Sequence, residues 1–159
     1  MATPCASSDL GWFGNGTFLF MWDTSQSPAV WVKISKIDNH DGPGMTTDKE
    51  EVTTHDSVAG YKQYIAGLSD GGSITESMIW DPTDPTHAGL AYTSLKQAFD
   101  DKQNRKWKLV YPTSPKWGTV FCGFVDAYKA MAPVKSALRA QVTIKVSDKV
   151  DLVTGGGLT

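Results

Sequence analysis

A chain of 159 residues suggests one domain with room for a core, burying roughly 70% of the surface its unfolded form would expose. Hydrophobic content of 40%, charged content of 20% and a net charge of −2 fit an ordinary globular protein and give no basic footprint for nucleic acid or an anionic membrane. Two cysteines, Cys5 and Cys122, argue against a disulfide framework and for folding with reduced thiols. The opening residues lack the basic and apolar regions of a signal peptide, and no apolar run approaches the ~20 residues of a membrane span, so no membrane insertion is expected.

In chain order, residues 1–16 read as a flexible N-terminal arm closed by the turn signal Gly14-Asn15-Gly16. Residues 17–22 form a short apolar run, a buried strand. Residues 29–37 alternate, with Val30, Val32 and Ile34 facing a core and Trp31, Lys33 and Ser35 facing away. Residues 38–44, rich in Asp, Asn and Gly, read as a loop. Residues 45–71 show no helical or strand period, and structureless connections longer than about 12–15 residues are usually functional or disordered. This one is acidic at its start yet carries Val52, Tyr61, Tyr64, Ile65 and Leu68, which a disordered linker would lack. The stretch 38–70 is therefore read as a long arm that becomes ordered against something else.

Residues 72–80 read as a strand with Ile74, Met78 and Trp80 on one face and Ser73, Thr75 and Ser77 on the other; Glu76 lands on the apolar face. Asp84 as N-cap and Pro85 at the first helical position open a helix to about Asp101. Its stripe includes Ala88, and Ala91, Leu95, Ala98 and Phe99 are expected to dock it on the sheet. Residues 106–111 alternate, with Trp107, Leu109 and Tyr111 together. Residues 119–128 are an apolar run in which Gly123 marks a bulge or a close backbone approach. Leu138, Ala140, Val142, Ile144 and Val146 face one way in the cleanest strand of the chain, and residues 151–159 read as a flexible C-terminal tail. About six strands and one helix, joined by connections too short for crossovers, give a mainly β (α+β) fold: an antiparallel β-sandwich or barrel over residues 17–150 with one flanking α-helix.

No arrangement of residues announces chemistry. His55-Asp56-Ser57 holds the residue types of a catalytic triad, but triads converge from separate parts of a fold, and adjacent side chains on extended backbone point apart. Turn chemistry is the expected role. His40, His55 and His87 lack metal-ligand spacing, and the glycine pairs lack the phosphate-loop pattern. No enzyme, cofactor or metal is expected. The charges fall in blocks: residues 38–57 hold six acidic side chains and one basic, residues 96–116 six basic and two acidic. Complementary patches at different places on one molecule make head-to-tail contacts that close into rings or propagate as filaments.

The motifs Glu51-Val-Thr-Thr-His-Asp-Ser57, Gly60-Tyr61, Ile65-Ala-Gly-Leu-Ser-Asp70-Gly, Asp81-Pro-Thr-Asp-Pro-Thr-His87, Phe121-Cys-Gly-Phe-Val125 and Gln141-Val-Thr-Ile-Lys-Val146 occur in the order found in tail tube proteins of long-tailed, non-contractile, lambda-like phages, which this chain resembles over residues 17–150. The resemblance implies a subunit of the virion tail, made in the host cytoplasm. Six copies would form a ring whose inner sheets join around a lumen. Stacked rings would conduct DNA to the host without binding it tightly, through a neutral or acidic lumen lined by the Ser73, Thr75 and Ser77 face. It implies tape measure, tail tip and terminator proteins as partners, and a fold shared with type VI secretion tubes. The arm becomes a hairpin reaching a neighbouring ring, with Glu50, Glu51, Val52, Thr53, Thr54, His55, Asp56, Ser57, Tyr61, Tyr64, Ile65 and Leu68 as contact residues and Arg105, Lys106 and Lys108 as the acceptor patch. The alternative is a monomeric β-sandwich module binding carbohydrate or a receptor through exposed aromatics such as Trp12, Trp31 and Trp117.

Overall fold

The computed structural model describes residues 14–57 and 60–155; the expected flexibility of residues 1–13 and 156–159, and the roles of Cys5 and Trp12, lie outside them. The elements are β1 (Phe18–Asp23), β2 (Val30–Lys33), β3 (Ile37–His40), β4 (Thr46–Glu51), β5 (Tyr64–Asp70), β6 (Ser73–Ile79), α1 (Leu95–Asp101), β7 (Arg105–Val110), β8 (Trp117–Met131), β9 (Arg139–Val146) and β10 (Asp151–Thr154). Eight strands pair antiparallel in one sheet of order β2-β1-β7-β8-β9-β6-β3, with β10 also on β8, while β4 and β5 form a separate two-stranded ribbon.

Strand β8 joins two walls. Its first half pairs with β7 and β10, its second half with β9. A Cβ at Gly123 would collide with the Lys145 carbonyl oxygen, so the close backbone approach expected there exists; the register slips just after it, between Val125 and Ala127. Leu19, Met21, Trp107, Leu109 and Phe121 from one wall pack with Ile74, Met78, Val142, Ile144 and Val146 from the other in a single buried cluster. This is the expected antiparallel sandwich, and the inward faces expected for β6, β7 and β9 are the buried ones.

The elements depart from expectation in five places. The strand expected over residues 29–37 stops at Lys33, although Ile34 stays buried and its N–H still reaches the Leu19 carbonyl. Lys36, at a φ of 57°, turns the chain, and Ile37–His40, the last residue of the expected strand and the first three of the expected loop, becomes β3, paired with β6. The helix starts at Leu95 rather than near Asp84. The Asp84 carboxylate instead accepts from the backbone N–H and hydroxyl of Thr86 and from Ser35, Gly89 takes a φ of 121° that no helix tolerates, and Ser94 caps α1. Leu95 and Ala98 are buried and Phe99 half-buried, but Ala91 lies outside the helix and exposed. Residues 151–154, expected in a flexible tail, pair with β8 as β10. Residues 45–71, expected to lack strand structure, contain both strands of the ribbon; β4 reads Thr-Thr-Asp-Lys-Glu-Glu and shows no alternation because neither of its faces is buried.

Candidate assembly surfaces

The ribbon leaves the sandwich between Gly44 and Gly72. Gly72 has a φ of 74°, and a Cβ on it would collide with the Gly44 carbonyl oxygen; one on Gly71 would strike Val146. Beyond this root, β4 and β5 pair among the described residues only with each other, from Thr46↔Asp70 to Glu51↔Tyr64. Every residue on both strands is exposed, including Tyr64, Ile65 at 59% and Leu68 at 85%, and Met45 and Tyr61 beside them. A two-stranded ribbon is marginal alone in water, so one that exposes this much apolar surface is built to be covered.

The ribbon's two faces differ. Strand alternation places Thr47, Lys49 and Glu51 on one face, where Lys49 lies over the Tyr64 ring and Glu51 binds Lys62 at 2.8 Å. The Lys62 ammonium and the Thr53 hydroxyl hold the Glu51 carboxyl below its ordinary range. Asp48 and Glu50 share the opposite face with Ile65, and among the described residues neither carboxylate has an ion-pair partner. At the tip, Val52 donates to the Gln63 carbonyl, Gln63 donates to the Thr53 hydroxyl, and Ser57 accepts from the Thr54 N–H while donating to Gln63. His55-Asp56-Ser57 is therefore part of a turn, the role its spacing favoured.

The three residues expected as an acceptor patch lie at different depths. Arg105 is buried on the core side, where it donates to the Asp101 carboxylate and the Tyr92 carbonyl and stacks over the Tyr92 ring. It ties α1 to β7 and offers nothing to a neighbour, which corrects that assignment. Lys106 and Lys108 point to the other side of β7, Lys106 exposed and Lys108 buried, its ammonium 4.4 Å from the Trp31 ring centroid and 5.1 Å from that of Phe20. Burial pushes the Lys108 ammonium below its ordinary value. The cross-strand register brings Trp31 against Trp22, edge to face at 4.9 Å, and Lys33 beside Phe20, with its ammonium 3.6 Å from the Phe18 ring. The sequence reading missed this aromatic and lysine surface. The signal was present in the second period of β1, β2 and β7: Phe18, Phe20 and Trp22; Trp31 and Lys33; Lys106 and Lys108.

The histidines have structural roles. His87 is fully buried, accepting from the Asp81 N–H through Nδ1 and donating to the Ser35 carbonyl through Nε2, 2.8 Å away. His40 pairs through Nε2 with the Thr17 carbonyl at 3.0 Å, and its Nδ1 lies 2.7 Å from the Glu76 carboxyl. Glu76, the acidic residue on the apolar face of β6, is 1% exposed. Burial raises its carboxyl above the ordinary value, against the lowering pull of His40, with Asp41 adding to the rise. No group of three or more acidic, histidine or cysteine residues suited to a metal occurs among the described residues.

This ribbon-bearing sandwich can be set beside known proteins. The lambda phage tail tube protein family matches residues 12–153. The chain belongs to that family. A comparison with curated proteins gives no sequence match. Among solved structures, the tail tube subunit resembles a chain in the virion of a native gene transfer agent particle, with a TM-score of 0.70, 10% identity, and coverage of 90% of this chain and 99% of that one. It resembles a chain in the sixfold-symmetric tail of an empty gene transfer agent particle equally well, at a TM-score of 0.70 and 12% identity over 90% and 99% of the two chains. The SPP1 tail tube protein matches at a TM-score of 0.65 and 9% identity over 94% of this chain and 81% of that one. At such identities the likeness is one of fold. With the family match it identifies a structural subunit of a virion tail tube and sets aside the monomeric binding module.

Proposed function

We propose that six copies of the subunit close into a ring, that rings stack into a tube, and that the ribbon bridges each ring to the next. The observation that carries this reading is the ribbon: paired only with itself, exposed on both faces and studded with Tyr64, Ile65 and Leu68. The wall of β8, β9, β6 and β3 supports ring closure. Among the described residues, β8 beyond Gly123 pairs with β9 only and β3 with β6 only, which leaves an edge at each side of this wall without a strand from the described residues. Its four strands alternate in direction. The β8 edge of one copy therefore meets the β3 edge of the next antiparallel, and rotation repeats the contact until it closes. The outward face of this wall carries Ser73, Thr75, Ser77, Gln141 and Thr143, a polar surface suited to a lumen through which DNA slides without being held. Among its cations, Lys145 is engaged by Asp70 and Arg139 by Asp38.

The tube's role is structural and not catalytic. It assembles in the host cytoplasm around a tape measure protein, capped by tip and terminator proteins. The ribbon is mobile in the free subunit and ordered in the tube. Electron microscopy of the purified protein at rising concentration, alone and with tail initiation proteins, should show rings and then tubes. Deleting residues 45–64 should leave a folded subunit that forms no stacked rings; normal tubes from that variant, or ribbon amides as protected from exchange in the free subunit as those of β9, would overturn the proposal.

A further inference from the structure

Resting on the stacking of rings, we infer that the turn between β8 and β9, with Val134 and Lys135 at its tip, seats in a groove at the ribbon's root on a copy in the adjacent ring, Val134 against Met45 and Val150 and Lys135 on Asp148. Strand β9 supplies the geometry. It runs from Arg139 beside the turn to Val146 at the groove, about 24 Å at strand rise, so turn and groove stand at opposite ends of one strand and do not meet within a copy. Closure of the ring through the edges of β8 and β3 leaves the strand ends facing the rings above and below. Head-to-tail stacking then brings the turn end of each copy to the groove end of another, a contact in which two different patches of one molecule meet. The ribbon leaves from the groove end too, so both contacts belong to one interface between rings.

The two surfaces fit in shape and in chemistry. Residues 132–138 are exposed throughout, and Val134 is 100% exposed. With Ala132, Pro133 and Ala137 beside it, the tip is a small apolar knob carrying one cation. The groove is its converse: an opening of about 710 Å³ between the start of the ribbon and the turn after β9, lined by Met45, Thr46, Ser69, Val146, Asp148 and Val150 among others, with Met45 63% exposed. Its other charges are engaged, Asp70 by Lys145 and Lys149 by Asp151. The Asp148 carboxylate accepts the Lys149 N–H at 2.7 Å but meets no cation among the described residues, and Lys135 has no ion-pair partner among them either. One uncompensated cation on the knob and one uncompensated carboxylate in the groove match in sign and in number, and covering the knob takes its apolar surface out of water.

Carbodiimide coupling of wild-type tubes tests it. An amide between Lys135 and Asp148 joins two copies, because the two residues lie at opposite ends of β9 within one; mass spectrometry of digested tubes should find it, and dispersed subunits should not give it. Val134→Asp should raise the protein concentration needed for tubes by about tenfold while leaving single rings and the Tm of the free subunit unchanged, since Val134 is wholly exposed. Lys135→Asp should raise it as well, and adding Asp148→Lys to the same chain should recover most of the loss. Cross-links from Lys135 to other carboxylates only, or tubes of Val134→Asp at the wild-type concentration, overturn the seat while leaving rings and ribbon intact. Loss of single rings from Val134→Asp would put the turn in ring closure and overturn the seat too. A wild-type protein that forms neither rings nor tubes would instead overturn the stacking on which the seat rests.

Discussion

Strands β9 and β5 are close in length and follow the same antiparallel rules, yet they live in different solvents. Along β9, Ala140, Val142, Ile144 and Val146 are 3% exposed or less, whereas along β5 no residue is buried and Leu68 is 85% exposed. Backbone pairing is common to both; what separates them is the second surface. In the sandwich that surface is the opposite wall, and folding supplies it. For the ribbon no described part of the subunit supplies it, and in the proposed tube it comes from another molecule. On that proposal, side chains of one chemical kind serve two purposes, and their place in the topology decides whether they stabilise the subunit or its assembly.

That contrast can be tested by substitution. The largest effect on the subunit is expected at Trp107, fully buried with its indole N–H on the Gly123 carbonyl: Trp107→Ala should lower stability by about 3–5 kcal/mol in denaturant titration of the unassembled protein. Leu95→Ala should cost about 2–4 kcal/mol by detaching α1 from the sandwich, and an unchanged denaturation midpoint would mean the helix is not docked through that residue.

A smaller effect belongs to Glu76. Its folded carboxyl titrates above the ordinary value of 4.5, so its contribution is complete below about pH 4.5 and is lost as pH rises through the folded value. Glu76→Gln keeps a donor for His40 and cannot ionise, so its Tm should fall less than that of the wild type over this window; parallel Tm curves would remove the argument. The acid side has the opposite sign. Asp81, held below 3.8 by Lys36 and Thr83, contributes stability that is lost as pH falls beneath that value, and Glu76→Gln should leave this limb unchanged. The smallest effect on the subunit is expected from Ile65→Ser with Leu68→Ser: within about 0.5 kcal/mol in the free protein, because both side chains are mostly exposed, but with tube formation weakened. A destabilised subunit would show that the ribbon already has a second surface.

The sequence disclosed the sandwich where burial writes a pattern. Ile74 and Met78, Trp107 and Leu109, and Val142 and Ile144 alternate because one side of each strand meets the core. It concealed β3 and β4, whose residues Asp38, Asn39 and His40, and Asp48, Lys49 and Glu50, carry no such imprint; pairing alone makes them strands. Asp84 looked like a helix cap because the same carboxylate chemistry also closes a turn, and only its long-range bond to Ser35 distinguishes the two. The apolar side chains of the ribbon, Tyr64, Ile65 and Leu68 in acidic surroundings, were legible; that they stay exposed on a strand pair was not. The aromatic and lysine face of the sandwich was not legible either, because Trp22, Trp31 and Lys106 become neighbours only through the order β2-β1-β7.

The glycines at the ribbon's root carry a consequence for scale. With Gly71 closed against Val146 and Gly72 against Gly44, the root fixes the direction in which the ribbon starts. From Thr46 to the turn at Thr54 the ribbon spans about 27 Å at strand rise. In the proposed tube this root would work as a gauge for an arm that becomes ordered on its neighbour. It would set the distance and rotation at which that neighbour is met, so a side chain added at either glycine should change the lattice before it changed the strength of any bond between copies.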